Sequence, residues 1–346
     1  MRQSQDIRRM AAQRLRELFP RVSGWDESVS ARPGSQLTDF IVRLKIGASE
    51  QALVLESASP GQPRQVRGAI ARLEEIRRDL PQVYGVAVAP YISPQSAALL
   101  KRSGLGYLDL SGNCYLAFEN VLIEKEGKPN VRPSTRPLKS LFAPRATRVV
   151  RVLLVDLQHP WRLEELAKAA EVSLGHAHNV VKRLEDLSWI ERGEHQRIHL
   201  ARPAELLDAW VEVYSYRLND IGTYFSSERI TRKLVGEIAR VAHAEGRRHA
   251  FTLHSGAALV APSARFPAIH CYLEGSPEPI ARALGLRPGE GNVHLIAPYD
   301  EGVFYAPITK GGLPVVCLPQ LYADLYHYER RGREQATHLR REAMGF

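Results

Sequence analysis

Cysteine is nearly absent from this chain: Cys114, Cys271 and Cys317 are the only three in 346 residues. They lie too far apart for a disulfide framework or for the paired ligands of a zinc site. They read as small half-buried residues in a reducing compartment, so a cytoplasmic location is expected. No window approaches about 18 consecutive apolar residues, which excludes a membrane-spanning helix at this level. The opening stretch MRQSQDIRRMAAQRLRELF alternates charge with apolar residues and lacks the apolar centre of a signal peptide. It reads as an amphipathic helix with Ile7, Met10, Ala11, Leu15 and Leu18 on one side. Internal repeats and low-complexity tracts are missing as well.

The most informative absence is acidic. From Pro129 to Arg151 there is no Asp or Glu, while Arg132, Arg136, Lys139, Arg145, Arg148 and Arg151 are basic. Pro129, Pro133, Pro137 and Pro144 punctuate the same stretch. That combination describes a basic, semi-extended linker between folded parts. A formal net charge of +9 favours a polyanionic partner, and 44% apolar content supports a sizeable core. The length suggests two or three domains. The expected division is 1–130, a linker at 131–144, 145–203 and 204–346.

Residues 145–203 carry the clearest pattern. Val149, Val150, Leu153, Leu154 and Leu157 mark a first helix, stopped by His159-Pro160. A short helix over Trp161–Ala170 follows, with Leu163, Leu166, Ala167 and Ala170 inward. Glu171-Val172-Ser173 makes a tight connection, and Ser173 is a good N-cap for a third helix over 174–187. That helix buries Ala177, Val180, Val181, Leu184 and Leu187 and presents His176, His178, Asn179, Lys182 and Arg183. Trp189–Arg192 and Arg197–Leu200 pair as a hairpin. This order is that of a winged helix-turn-helix. In a major groove the Asn179 amide pairs with adenine, and Arg183 reads guanine or holds phosphate. Arg192, His195 and Arg197 on the hairpin, with Arg145, Arg148 and Ser173, complete the expected DNA-binding set. His176 and His178 point to different sides of a helix and do not chelate one ion.

From Leu37 to Gly127, strands and helices alternate. A hairpin (Phe40–Ile46, Ala52–Leu55) precedes a helix over 64–80, an apolar strand over 83–89, a helix over 93–102, and strands near 107–110 and 113–118. This order resembles the PD-(D/E)XK, or restriction-endonuclease-like, fold. The resemblance implies an aspartate and a glutamate on adjoining strands that hold magnesium, with a nearby lysine assisting the attacking water. Asp39 and Glu56 stand at the carboxylate positions, but Ala58 stands where the lysine belongs. Lys45 and Lys125 are the cations a migrated site would draw on. The expectation is a nuclease-like scaffold with weak or absent hydrolysis, no catalytic residue beyond the degenerate pair Asp39 and Glu56, and magnesium required only if that pair works. Nearby, Asp109 interrupts an apolar strand in Tyr107-Leu-Asp109-Leu-Ser111-Gly112-Asn113, and it is expected to accept amide hydrogens of the turn.

Residues 204–245 read as mostly helical, followed after Gly246 by short strands near 250–253, 268–273, 292–296, 303–305 and 315–318, and a helix over 318–341. Gly275-Ser276 is not followed by the acidic pair that a nucleotidyltransferase needs. His249, His254, His270 and His294 form neither a metal nor a triad pattern. A partner-binding or oligomerisation role is expected. The fold class is thus α/β multidomain: a restriction-endonuclease-like domain, a winged helix-turn-helix and a C-terminal α/β domain.

Taken together, RLEELAKAAEVSLGHAHNVVKRLEDLSWIER, GQPRQVRGAI, YLDLSGNCYL and HSGAALVAP resemble the AbiEi group of transcriptional regulators, the antitoxins of type IV toxin–antitoxin systems. The resemblance implies DNA binding at the antitoxin's own promoter and opposition to a nucleotidyltransferase-like toxin. Simpler members begin with the winged helix, whereas here it follows the nuclease-like segment. The expected partners are double-stranded DNA, such a toxin and a second copy of the chain, with no membrane. The competing expectations are a magnesium-dependent DNA endonuclease targeted by the winged helix, and a pure protein-interaction scaffold.

Overall fold

Apolar runs flanked by turn residues build one seven-stranded mixed sheet in the first part of the chain. In this computed structural model the residues described are 2–20, 22, 24–31, 38–46, 49–130, 141–228, 231–261, 268–329 and 331–346, without the side chains of 2–6, 8, 24–25, 27–31, 38–39 and 231. The expected linker residues Arg132, Pro133, Arg136, Pro137 and Lys139 lie outside the described residues. The chain divides into two compact units, 1–136 with 185–188, and 137–184 with 189–346.

In the first unit, β1 (Gly24–Ala31), β2 (Thr38–Ile46), β3 (Ser49–Ser57), β4 (Val83–Ala89), β5 (Gly106–Asp109), β6 (Cys114–Phe118) and β7 (Val121–Lys125) stand side by side in sequence order. β3, β4 and β5 run parallel, and the outer pairs are antiparallel. α2 (Pro63–Asp79) and α3 (Pro94–Arg102) connect the parallel strands. On one face, Ile7, Ala11, Ala12 and Leu15 of α1 (Arg2–Leu18) pack with Val42, Leu44, Leu53, Leu55, Val86 and Val88. On the other, Val66, Ala69, Leu73 and Ile76 of α2 pack with Ile41, Val54, Ala87 and Ala89. Covered on both faces, β3 and β4 need apolar side chains at successive positions, which is why ALVL and VYGVAVA run unbroken. β1 and β7 had no counterpart in the sequence reading. Both are edge strands, and Gly24-Trp-Asp-Glu-Ser-Val-Ser-Ala is too polar to register as a strand.

The turn after β3 depends on Gly61. Its φ is +93°, and a Cβ there would sit 1.8 Å from the Tyr91 carbonyl oxygen. The turn at the end of β5 forms as expected. Asp109 accepts from the Asn113 backbone N–H at 2.8 Å, and also from Asn113 Nδ2 at 2.8 Å and Ile92 N at 3.1 Å.

The second unit opens with α4 (Pro144–Val155), α5 (Leu163–Ala169), α6 (Leu174–Asp186) and the antiparallel pair β8 (Ile190–Arg192) and β9 (Ile198–Leu200). α7 (Pro203–Val211), β10 (Asp220–Phe225), α8 (Thr231–Ala244), β11 (His249–Phe251), α9 (Leu253–Val260), β12 (Ile269–Leu273), α10 (Glu278–Ala283), β13 (Arg287–Pro288), β14 (Val293–Ala297), β15 (Ile308–Lys310), β16 (Leu313–Val315), α11 (Leu318–Tyr326) and α12 (Gly332–Leu339) follow. Their sheet has the order β13-β10-β14-β12-β11-β16-β15 and mixes parallel and antiparallel neighbours.

Several expectations for the second unit need correction. The region read as helical from 204 contains strand β10. Residues 301–304 form a 3-10 turn rather than a strand, because the Asp300 carboxylate caps the Gly302 N–H at 2.9 Å. The single helix over 318–341 is broken in two. Arg331 adopts a left-handed φ of 69°, and Gly332 comes so near the Leu325 carbonyl that a Cβ would lie 2.4 Å from its oxygen. Trp161 is not helical but bridges β9. It exchanges backbone hydrogen bonds with Ile198 at 3.0 and 2.8 Å.

Leu73 is fully buried between α2 and the sheet. Leu73→Ala is expected to lower the stability of the first unit by about 2–5 kcal/mol, read as faster hydrogen exchange of the β3 and β4 amides.

Candidate nucleic-acid interface

The three-helix segment places a polar helix face in solvent by burying its opposite side. In α6, Ala177, Val180, Val181 and Leu184 are buried, so the intervening positions must face outward. His178, Asn179 and Lys182 are exposed, and His176 and Arg183 are half-buried. The Asn179 amide has no hydrogen-bond partner among the described residues. The entry to α6 is fixed twice: Glu171 takes a left-handed φ of 51°, and Ser173 Oγ accepts the His176 N–H at 3.2 Å. α5 is capped by Glu165, whose carboxylate accepts the Arg162 N–H at 3.0 Å and is thereby held below its ordinary range. At the hairpin tip His195 and Gln196 adopt left-handed φ values of 52° and 58°, and His195 is exposed.

The expected cations split into two groups. Arg145 is exposed and lines an open cleft of about 460 Å³ with Ser173 and His176, beside the start of α6. Arg192 donates to the Gln196 carbonyl within the hairpin at 3.3 Å. Arg197 donates to the Pro160 carbonyl at 3.0 Å and reaches Glu165 at 3.5 Å. Arg148 points into the protein: its Nε donates to both Asp300 oxygens, at 2.9 and 3.1 Å, and Glu171 lies 3.5 Å from Nη1. One turn along α4, Arg151 is sealed in the core with 1% exposure.

Arg151 heads a buried polar chain that the sequence reading missed. Its Nε and Nη2 donate to Gln320 Oε1 at 3.1 and 2.7 Å, and it packs over the Trp210 ring at 5.4 Å. Gln320 Nε2 donates to Asp324 Oδ1 at 2.8 Å. Asp324 also accepts from the hydroxyls of Tyr214, Tyr272 and Thr252. Burial raises Tyr214 and Tyr272 well above the usual phenol range, so both remain donors. Burial likewise pushes the Asp324 carboxyl up to about 6, against the four hydrogen bonds that favour its ionised form. A second cluster lies on β12 and β14: the His270 and His294 rings stack at 4.5 Å, and Tyr328 Oη lies 3.0 Å from His270 Nε2. Asp324 on an α11 that reads Leu-Pro-Gln-Leu-Tyr-Ala-Asp-Leu was the available signal. A carboxylate on an otherwise apolar helix face must find partners.

Of the two nuclease-like carboxylates, the structure describes the side chain of Glu56 alone. Asp39 stands on β2 one position beyond Phe40, which pairs with Leu55, so its backbone lies beside Glu56; its side chain is outside the description. The Glu56 carboxylate is taken by Arg72 of α2, whose Nε donates to Oε1 at 2.7 Å. Ala58 is buried in the core under α2. Lys45 pairs with Glu50 at the far end of the hairpin, and Lys125 stands on β7, four strands from β3. Either cation is roughly 20 Å away by strand geometry. Among the described residues no three His, Cys, Asp or Glu side chains are grouped to hold a metal ion, and no described helix is long and apolar enough to cross a membrane.

Comparison with known families picks out the C-terminal part. Residues 199–344 match a family described as transcriptional regulator, AbiEi antitoxin, type IV TA system. Of the four phrases that carried this resemblance in the sequence, HSGAALVAP falls within the matched residues. The helices α4 to α6 precede them. Among solved structures, the apo form of EndoMS is similar at 22% identity and a TM-score of 0.21, over 29% of this chain and 45% of that one. The chain thus spans less than half the length of that protein. No curated protein matches the chain.

The Asp324 shift has a defined pH signature. A carboxyl whose pKa is raised on folding, from 3.8 to about 6, stabilises the fold below the lower value, and that contribution is lost as pH rises through the upper one. Stability is expected to fall by about 2 kcal/mol between pH 4 and 7 through this group. Urea unfolding at both pH values, with Asp324→Asn as the comparison, is expected to show the step in the natural protein alone.

Proposed function

We propose that the chain is a DNA-binding transcriptional regulator of the antitoxin type, reading its own promoter through a winged helix-turn-helix. The observation that carries this is the outward face of α6, with Asn179 exposed between His178 and Lys182, immediately before a segment that matches the AbiEi family. α6 is the recognition helix, and the β8–β9 hairpin with His195 is the wing. Trp161 supports this assignment as a short third strand beside the hairpin. In the groove, Asn179 pairs with adenine and Arg183 reads guanine or phosphate, while Arg145, Ser173, His176 and Lys182 meet the backbone. Arg192 and Arg197 contribute where the wing crosses the adjoining phosphate. Arg148 acts indirectly, since Asp300 holds it inward. In this reading the chain comprises a nuclease-like domain over 1–130, a linker over 131–144, the winged helix over 145–203 and a partner-binding domain over 204–346. The protein acts in the cytoplasm as a dimer on a palindromic or repeated site and opposes a nucleotidyltransferase-like toxin.

Asn179→Ala with Arg183→Ala is expected to abolish the specific promoter shift in a gel assay, while non-specific retention at low salt persists. A double variant that shifts its site normally sinks the recognition-helix assignment. Arg145→Ala is expected to weaken binding to all sequences and reduce the salt slope by about one. The endonuclease reading is put to the test with supercoiled plasmid and magnesium. The Glu56–Arg72 pair predicts intact plasmid, and cutting that disappears in Glu56→Ala overturns the regulator assignment for the first unit.

A further inference from the structure

The Tyr107–Asn113 turn builds a pocket that DNA binding does not use. Asp109 clamps Asn113, and Asn113 in turn grips Lys128 from both ends of its amide: Nδ2 donates to the Lys128 carbonyl at 3.1 Å, and Oδ1 accepts its N–H at 2.8 Å. The same carboxylate fixes Ile92 in the loop after β4. These bonds hold the chain after β4 and the chain after β7 around a cavity of about 370 Å³ at the carboxyl ends of the parallel strands. That is where open α/β sheets receive ligands, and the volume is in the range of small-molecule sites.

The walls are of two kinds. Ile92, Pro94, Ala97 and Ala98 give an apolar surface, with Tyr91 and Tyr107 beside it. The polar part of the lining sets Lys101 and Lys128 against Glu126, and Lys101 is also paired with Glu124 behind it. Lys101 Nζ lies 2.5 Å from Glu124 Oε1 and 2.6 Å from Glu126 Oε1, and Tyr107 donates to that same Glu126 oxygen at 2.9 Å. Both partners of Glu126 therefore use one oxygen. The other, Oε2, is left as an acceptor beside an ammonium that has a third N–H to give. Lys101 and Tyr107 hold the Glu126 carboxyl below its ordinary range, so it stays an acceptor. An adjacent donor and acceptor match the two edges of an amide. An anion meets a lysine already committed to two carboxylates.

We propose that this pocket binds a small, uncharged aromatic amide or lactam, its ring against Tyr91, Tyr107 and the small residues of α3 and its amide edge paired with Lys101 and Glu126. Nicotinamide and its carboxylate counterpart nicotinate are the probes, because they share a ring and differ in charge and in the donor. Saturation-transfer NMR and calorimetric titration on the full chain are expected to detect nicotinamide and to show nicotinate binding about tenfold or more weakly. Ala98 is exposed on α3, so Ala98→Phe is expected to fill the cavity and abolish binding without lowering the melting temperature. Glu126→Gln removes the negative charge while keeping the side-chain shape, and is expected to erase the preference for the amide. Absence of nicotinamide binding at millimolar concentration, equal binding of the two probes, or unchanged binding in folded Ala98→Phe each overturns the proposal.

Discussion

Two arginines on one helix tie the helical segment of the second unit to its sheet domain. Arg148 and Arg151 stand three residues apart on α4, and both are inserted into the C-terminal sheet domain rather than offered to solvent. One meets Asp300 as an ion pair, the other meets Gln320 and the Trp210 ring. Buried charges are costly to strand, so once these partners are made, moving α4 away exposes or orphans two guanidinium groups. α5 packs on α4, and the hairpin is tied to the start of α5 through the Trp161 bridge to β9. The helical segment is therefore tied to the sheet domain through α4, by residues such as Asp300 and Gln320 that lie in the part of the chain matching the antitoxin family.

Much of this architecture was legible in the residues. Periodicity located α2, α4, α5 and α6 to within a few positions, because each buries a continuous apolar stripe whose spacing survives in any context. The β2–β3 hairpin and β4 were equally clear, since strands covered on both faces must be apolar throughout. What escaped is non-local. Nothing around Arg148 distinguishes a phosphate contact from an ion-pair partner, because Asp300 lies 152 residues further on. The same holds for Arg151 and Gln320, and for Arg72 claiming Glu56. The strand Asp220–Phe225 was hidden inside a helical reading, as Gly222 and Thr223 give it no strong alternation. The break after Tyr326 arises from backbone geometry at Arg331 and Gly332, which a helical pattern of apolar residues does not reveal.

In the first unit a strand-end glutamate meets a cation from within the protein. The glutamate stands beside a strand carrying an aspartate. Arg72 supplies a permanent positive charge to Glu56. Ala58 contributes a methyl group to the core under α2, so the region is part of the packing between helix and sheet. The buried polar organisation of the unit lies at the ends of β4 and β5, around Asp109 and Asn113.

Arg151 leaves one loose end. Its Nη1 is buried without a hydrogen-bond partner, next to Gly302, where a Cβ would lie 2.6 Å from that nitrogen. An unmet donor inside a sealed core invites water more readily than any apolar contact around it. The seam between α4 and the 300–306 turn thus holds a buried donor with no partner, and only glycine at 302 leaves room beside it.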